Sequence, residues 1–256
     1  MSIGMGALVR FIKKGKHERR KVERINEQKR IMSEVFLDRY VVLNGPFKGT
    51  KYIGDAHGSM LLPKILGSYE EPIQLWIEKA INHKKYSRII DIGCAEGYYA
   101  CGFARAMPDA SILAYDISKE AQKLTEKLAK ENDLQNITIS GECSHTELNE
   151  VCKNNSLVFC DIEGGEHALL NPNLVPNFVN VDLIIESHDC IIPNITEELI
   201  ERFKGTHNIS VMIDYPNRVK EYEFPQEPTE SELKLIFDER RSKYMRFLYL
   251  EAKNPL

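Results

Sequence analysis

The chain has no apolar run long enough to cross a bilayer: runs such as Leu183–Ile185 fall far short of the ~20 residues a spanning helix needs. No basic stretch followed by an apolar core opens it, so a secretory leader is not expected. There is no Gly-rich or Pro-rich tract, internal repeat or low-complexity segment, which sets aside fibrous and disordered classes. The six cysteines, Cys94, Cys101, Cys143, Cys152, Cys160 and Cys190, include no CxxC pair. That argues against a zinc site or a disulfide framework and for reduced thiols, with Cys101 and Cys160 serving as small apolar residues. What the sequence does have is size, with 256 residues, 43% of them hydrophobic. A chain of this length can bury roughly 70% of its unfolded surface, in one large domain or one domain with a cap. A soluble, cytoplasmic protein is the expectation.

The formal net charge is −4, from 34 Lys+Arg and 38 Asp+Glu, and it is unevenly spread. Residues 1–30 carry ten Lys and Arg against three acids, so the rest of the chain is acidic. A basic arm of this kind can meet an anionic surface, or it can be a solvated helix packed on the body or on a second subunit of a homo-oligomer. The acidic body repels phosphate backbones, so nucleic acid is not an expected partner.

Residues 10–38 have helical composition, and Tyr40–Leu43 and Thr50–Ile53 flank a turn-rich insert that reads as a hairpin. Ile73–His83 reads as a helix with Leu75, Trp76, Ile77, Ala80 and Ile81 on its buried side. From Ser87 the pattern becomes regular. Strands at Arg88–Ile92, Ser111–Asp116, Ile137–Ser140, Leu157–Ile162, Asp182–Glu186, Ile209–Asp214 and Met245–Glu251 alternate with helices. These include Tyr98–Ala106, Lys119–Asn132, Leu148–Lys153 and one near Leu233–Arg241. Such alternation specifies an α/β fold with a Rossmann-like, doubly wound, seven-stranded, mostly parallel sheet, preceded here by a helical N-terminal extension.

The first of these strands ends in Asp91-Ile92-Gly93-Cys94-Ala95-Glu96-Gly97, and Tyr98 opens the next helix. Glycines there allow a tight turn and a close backbone approach to a ligand, beside the free N–H groups of a helix start. A dinucleotide site needs G-x-G-x-x-G, but Ala95 and Tyr98 stand at the second and third glycine positions. The remaining pattern, Asp91-x-Gly93-x-x-x-Gly97, resembles motif I of class I S-adenosylmethionine-dependent methyltransferases. The resemblance runs from Arg88 to Glu251. It implies that the Asp91–Tyr98 loop (Asp91, Gly93, Cys94, Ala95, Gly97, Tyr98) and Asp161 hold S-adenosylmethionine. By the same resemblance Asp116, with Ile117, grips the ribose, and Glu142 and Cys143 lie at the adenine. Residues 1–86 would then form a helical extension, hairpin and cofactor-covering segment, and 87–256 the methyltransferase domain with a 215–243 insertion.

Two acidic clusters follow at the same sheet edge. The string Asp161-Ile162-Glu163-Gly164-Gly165-Glu166 resembles the FkbM-type subgroup, which implies O-methylation of a sugar or natural-product hydroxyl in the synthesis of a surface polysaccharide or natural product. Strand five ends in Glu186-Ser187-His188-Asp189. Two mechanisms are open. In one, implied by the resemblance, Asp161 with Glu186, His188 or Asp189 holds Mg²⁺ (Asp161, Glu186 and Asp189 being the leading set), which acidifies the acceptor hydroxyl. In the other, Asp161, Glu163 or His188 takes the proton directly. Against both, Asp161 could cap the following helix, with Glu163 and Glu166 as its first-turn acids. N-methylation of a small amine and a non-catalytic cofactor-binding subunit are the alternatives.

Overall fold

The computed structural model describes residues 19, 22–83, 85–214, 220–241 and 245–253. The chain divides into two compact units, Met1–Arg39 with Glu223–Ile236, and Tyr40–Tyr222 with Phe237–Leu256. Most of the basic arm lies outside the described residues.

In the first unit, helix α1 (22–34) stops where Leu37 and Asp38 both take left-handed backbone, at φ 53°. The composition predicts a helix to residue 38, but two consecutive left-handed residues cannot continue it. Arg30 pairs with Glu27, Glu34 and Glu232, joining α1 to helix α9 (Glu230–Ile236). Helix α9 lies earlier than the sequence suggests, because Thr229 accepts Glu232 N–H at its hydroxyl and Leu233 N–H at its carbonyl.

The second unit holds a seven-stranded sheet in the order β3-β2-β1-β4-β5-β7-β6, the Rossmann-like architecture expected. The strands are β1 (Arg88–Ile92), β2 (Ser111–Tyr115), β3 (Ile137–Ser140), β4 (Ser156–Cys160), β5 (Asp182–Ser187), β6 (His207–Ile213) and β7 (Arg246–Ala252). All pairs are parallel except β5–β7 and β6–β7. β4 and β5 are buried along their whole length, which explains their continuous apolar runs. The order reverses at β1, between β2 and β4, and opens a crevice beyond the carboxyl ends of these strands. Helices α4 (Tyr98–Ala106), α5 (Lys119–Glu131), α6 (His145–Val151), α7 (Glu166–Leu169) and α8 (Ile195–Phe203) flank the sheet. α6 starts ahead of its expected place because Ser144 caps it, accepting Glu147 N–H at 3.2 Å.

Residues 40–86 belong to this same unit. Around the bridge Val41–Lys51, Val42 N–H donates to the Thr50 carbonyl at 2.9 Å, Gly49 N–H to that of Val42 at 2.8 Å and Tyr52 N–H to that of Tyr40 at 2.7 Å. Leu43 and Asn44 donate outside this pairing, to the Ile65 and Leu66 carbonyls at 2.9 and 3.0 Å, the C-terminal end of helix α2 (Leu61–Leu66). Helix α3 (Gln74–Asn82) buries Gln74, Ile77 and Ala80, while Leu75 is 64% exposed. The buried side is therefore centred on Ile77, not Leu75. No helix among the described residues is long and apolar enough to cross a membrane.

Candidate active site

Beyond β1 the backbone turns back on itself. Gly93 has φ 88°, and a Cβ there would lie 1.8 Å from the Asp161 carbonyl oxygen, so only glycine lets the ends of β1 and β4 meet. Gly93 and Cys94 N–H both donate to the Tyr115 carbonyl, at 2.8 and 3.0 Å. Ala95, also left-handed at φ 48°, aims its N–H at Asp116 Oδ2, 2.9 Å away. Asp116 Oδ1 accepts Ser118 N–H at 2.8 Å. One backbone amide thus holds each Asp116 oxygen, and each keeps lone pairs for a further donor.

A cavity of about 920 Å³ opens over these strand ends. Every position expected at the cofactor lines it except Gly97. Gly97 serves the turn, at φ 95° with Thr125 Cγ2 2.8 Å from where a Cβ would stand. Asp116 and the 82%-exposed Ile117 side chain lie at the β2 end of this cavity, with Glu142 and Cys143 beyond β3. Asp91 is buried, and its Oδ2 has no hydrogen-bond partner. Burial, then the charges of Asp161 and Asp116, push its carboxyl up to about 8. A buried carboxyl with one oxygen free, a clamped aspartate with free lone pairs and an open apolar side chain fit the ammonium, ribose and adenine of S-adenosylmethionine.

The wall above comes from residues 52–64. Glu96, fully buried in the motif loop, accepts from Tyr52 OH at 2.6 Å and His57 N–H at 3.1 Å, and it pairs with Lys64. This fixes His57, Gly58 and Ser59 over the cavity. Burial disfavours the Glu96 charge, but the charge and hydrogen bond of Lys64 and the hydrogen bond of Tyr52 overcome it, holding the carboxyl below its usual value.

At the β4 and β5 ends, Asp161, Glu186 and His188 place one donor atom each within 4.8 Å of one another. Asp161 and Glu186 face each other within side-chain hydrogen-bond reach. Burial and then the Glu70 charge raise Asp161 to about 6, and burial and then the Asp161 charge raise Glu186 well above the carboxylate range. Arg241 sits on Glu186 and also reaches Glu70 and Asp214 at 2.7 Å and Glu239 at 3.2 Å. His188 Nδ1 is 3.0 Å from Glu166 Oε1, and Nε2 is 3.5 Å from both Asp161 Oδ1 and Glu163 Oε2. Burial lowers His188, but the hydrogen bond and charge of Glu166, with Asp161 and Glu163, outweigh it and raise the imidazole pKa. Glu163 is 78% exposed at the rim.

Asp189 is not brought to this group. Its carboxylate binds Thr196 N–H and OH, bracing the start of α8, and it does not line the cavity. The remaining donors fit Mg²⁺ poorly. The ion prefers several oxygen ligands in octahedral array, whereas here one of three donors is an imidazole and a guanidinium already occupies Glu186. Asp161 caps no helix. Its N–H donates to Ile92 O at 3.0 Å, and its side chain lines the cavity.

Glu166, Arg241, Tyr69, Lys64 and Glu96 join this site from tertiary structure, and sequence reading does not single them out. Only Glu166 carried a signal, as the last acid of the Asp161–Glu166 string. His207, by contrast, is away from the cavity, bonded to Val181 O and Thr206.

A family model described as "Methyltransferase domain" matches residues 83–234. No curated protein matches the chain. Among solved structures, a precorrin-6y C5,15-methyltransferase from Geobacter metallireducens GS-15 is 11% identical, with 69% of this chain and 88% of that one covered and a TM-score of 0.46. An rRNA methylase from Streptococcus thermophilus is 13% identical, covering 71% and 97%, TM-score 0.46. An S-adenosylmethionine-dependent O-methyltransferase from Thermotoga maritima is 16% identical, covering 70% and 64%, TM-score 0.43. With more than half its length matched by the family model, the chain belongs to the methyltransferase domain family and is a class I S-adenosylmethionine-dependent methyltransferase.

Proposed function

We propose that this enzyme methylates a hydroxyl of a small polar acceptor, with a sugar or sugar-nucleotide hydroxyl as the leading substrate, and that His188 removes the proton without a metal. The carrying observation is the His188 ring, whose Nδ1 faces Glu166 while Nε2 stands at the cavity between Asp161 and Glu163. When bound, S-adenosylmethionine supplies an electrophilic methyl group on its sulfonium. Asp116 holds the ribose, and Asp91 faces the ammonium. A polyol offers hydroxyl donors to Asp161, Glu163 and Glu239, which all line the cavity and can only accept when ionised. That match, together with the FkbM-like string, favours a sugar. Holding acceptor and methyl in line is the largest contribution the protein makes, and proton removal by His188 adds roughly 10²- to 10⁴-fold.

The same carboxylates would also attract an ammonium, so N-methylation of a small amine is the second reading. A single panel separates the two: the full chain, methyl-labelled S-adenosylmethionine, and sugars, sugar nucleotides and small amines as acceptors. The expected result is label in a sugar hydroxyl, unchanged by chelator and lowered about 100-fold or more by His188→Asn. Label only in amines would favour the second reading, and loss of activity on chelation would overturn the metal-free mechanism.

A further inference from the structure

We propose that Glu166 is the positioning residue of the His188 base, fixing the tautomer that leaves Nε2 free to take the acceptor's proton. The proposal rests on the reading of His188 as that base. Glu163 at φ 52° and Gly164 at φ 97° turn the chain sharply after β4, and the turn brings Glu166 back beneath Ile162. There Oε1 accepts Ile162 N–H at 2.8 Å and faces His188 Nδ1 at 3.0 Å. An ionised carboxylate has no hydrogen to donate, so the hydrogen of this contact resides on Nδ1 and the lone pair of the neutral ring on Nε2. Nε2 points to the opposite side, where Asp161 and Glu163 at 3.5 Å are the carboxylates facing it.

Closing the turn does not account for this residue. One oxygen suffices for Ile162 N–H, and an uncharged side chain would supply it more cheaply in a site with 0% exposure. Instead the chain buries a second oxygen, Oε2, with no partner, which is costly for a carboxylate in a dry place. The charge has a use only when His188 becomes imidazolium. It then lies against the new cation and stabilises it, as the orienting acid does in hydrolytic triads.

The test is Glu166→Gln, which keeps an acceptor for Ile162 N–H and removes the charge. One oxygen, Oε1, serves both Ile162 N–H and Nδ1, so the Gln variant keeps the tautomer and loses only the charge, whereas Glu166→Leu offers no acceptor and should lose the tautomer preference. In ¹⁵N-labelled full-length protein at alkaline pH, the ring signals missing from His188→Asn are expected to report Nδ1–H in the wild type and in Glu166→Gln, and a mixture of tautomers in Glu166→Leu. Affinity for S-adenosylhomocysteine should be unchanged, which also reports that the fold is intact. With a methylated acceptor in hand, kcat should fall roughly tenfold or more at unchanged KM for the cofactor. An unaltered Nδ1–H signal in Glu166→Leu would overturn the positioning role, and this measurement needs no acceptor. If His188→Asn transfers methyl at the wild-type rate, the base assignment itself falls, independently of the tautomer result.

Discussion

Asp91 is a buried carboxyl with one oxygen unbonded. Placed at the end of β1 with Oδ2 free, it is pushed up to about 8 chiefly by burial, against the backbone hydrogen bond of Ala100 and the charge of Lys64, so the protonated form is favoured at pH 7. The ammonium of the cofactor's amino-acid end is the counter-charge that would ionise it. Binding of S-adenosylhomocysteine near neutral pH should therefore release close to one proton, and the release should fade as pH rises past about 8. Titration calorimetry in buffers of different ionisation enthalpy reads this directly as a buffer-dependent binding enthalpy. Asp91→Asn should abolish the dependence and weaken binding about tenfold or more, in line with the loss of one charge-assisted contact. A binding enthalpy that does not vary with buffer would show that binding does not change the protonation of Asp91, and would overturn the exchange of its proton for the ammonium.

At the scale of elements, the segment 52–64 is held over the cavity by one carboxylate. Glu96 gathers Tyr52, His57 and Lys64, and the Lys64 ammonium also lies 4.7 Å from the Tyr69 ring centroid. Both members of the ion pair are buried. Breaking a buried pair from one side leaves the other charge stranded, at a cost of about 3–5 kcal/mol. Glu96→Ala should lose about that much in urea denaturation and also lose affinity for S-adenosylhomocysteine. Lys64→Met with Glu96→Met should regain most of the stability but little of the affinity, because the His57 loop still lacks its anchor. Equal recovery of both would mean that the latch contributes only to folding. The contrast between this segment and the sheet explains what the sequence could yield. The ends of β1, β2 and β3 lie within a residue of their expected positions, because buried strands and capped helices write themselves into local periodicity. The cavity positions Asp116 and Asp161 followed from those strand ends. Glu96, Glu166 and Arg241 did not, since their partners lie 32, 22 and 171 residues away at Lys64, His188 and Glu70, and no local pattern encodes such pairings.

For the molecule as a whole, the buried acids reverse the usual dependence of stability on pH. Asp91 at about 8, Asp161 at about 6 and the raised Glu186 bind protons in the folded state that they have released in the unfolded chain, where carboxyls titrate near 4. Where the native state binds more protons, unfolding free energy falls as pH rises. These groups therefore favour the fold fully below about pH 4 and withdraw that support between about pH 4 and 8. His188, also raised, acts in the same sense, and its contribution goes as pH climbs through its folded value. Glu96 opposes them at the acid end. Its pKa is lowered, so its stabilisation is present above the usual carboxylate range and is lost as pH drops through the folded value. The ligand-free enzyme should accordingly be most stable near pH 5, with a urea midpoint that declines steadily toward pH 8 at constant m-value. Asp91→Asn should flatten this decline, since an amide has no proton to surrender, and saturating S-adenosylhomocysteine should flatten it too by giving the ionised Asp91 a partner. A midpoint that rises from pH 5 to 8 would mean that the acids of the cavity are already ionised in the free protein. The acceptor end would then be a fixed anionic surface, with Asp161 and Glu186 both charged.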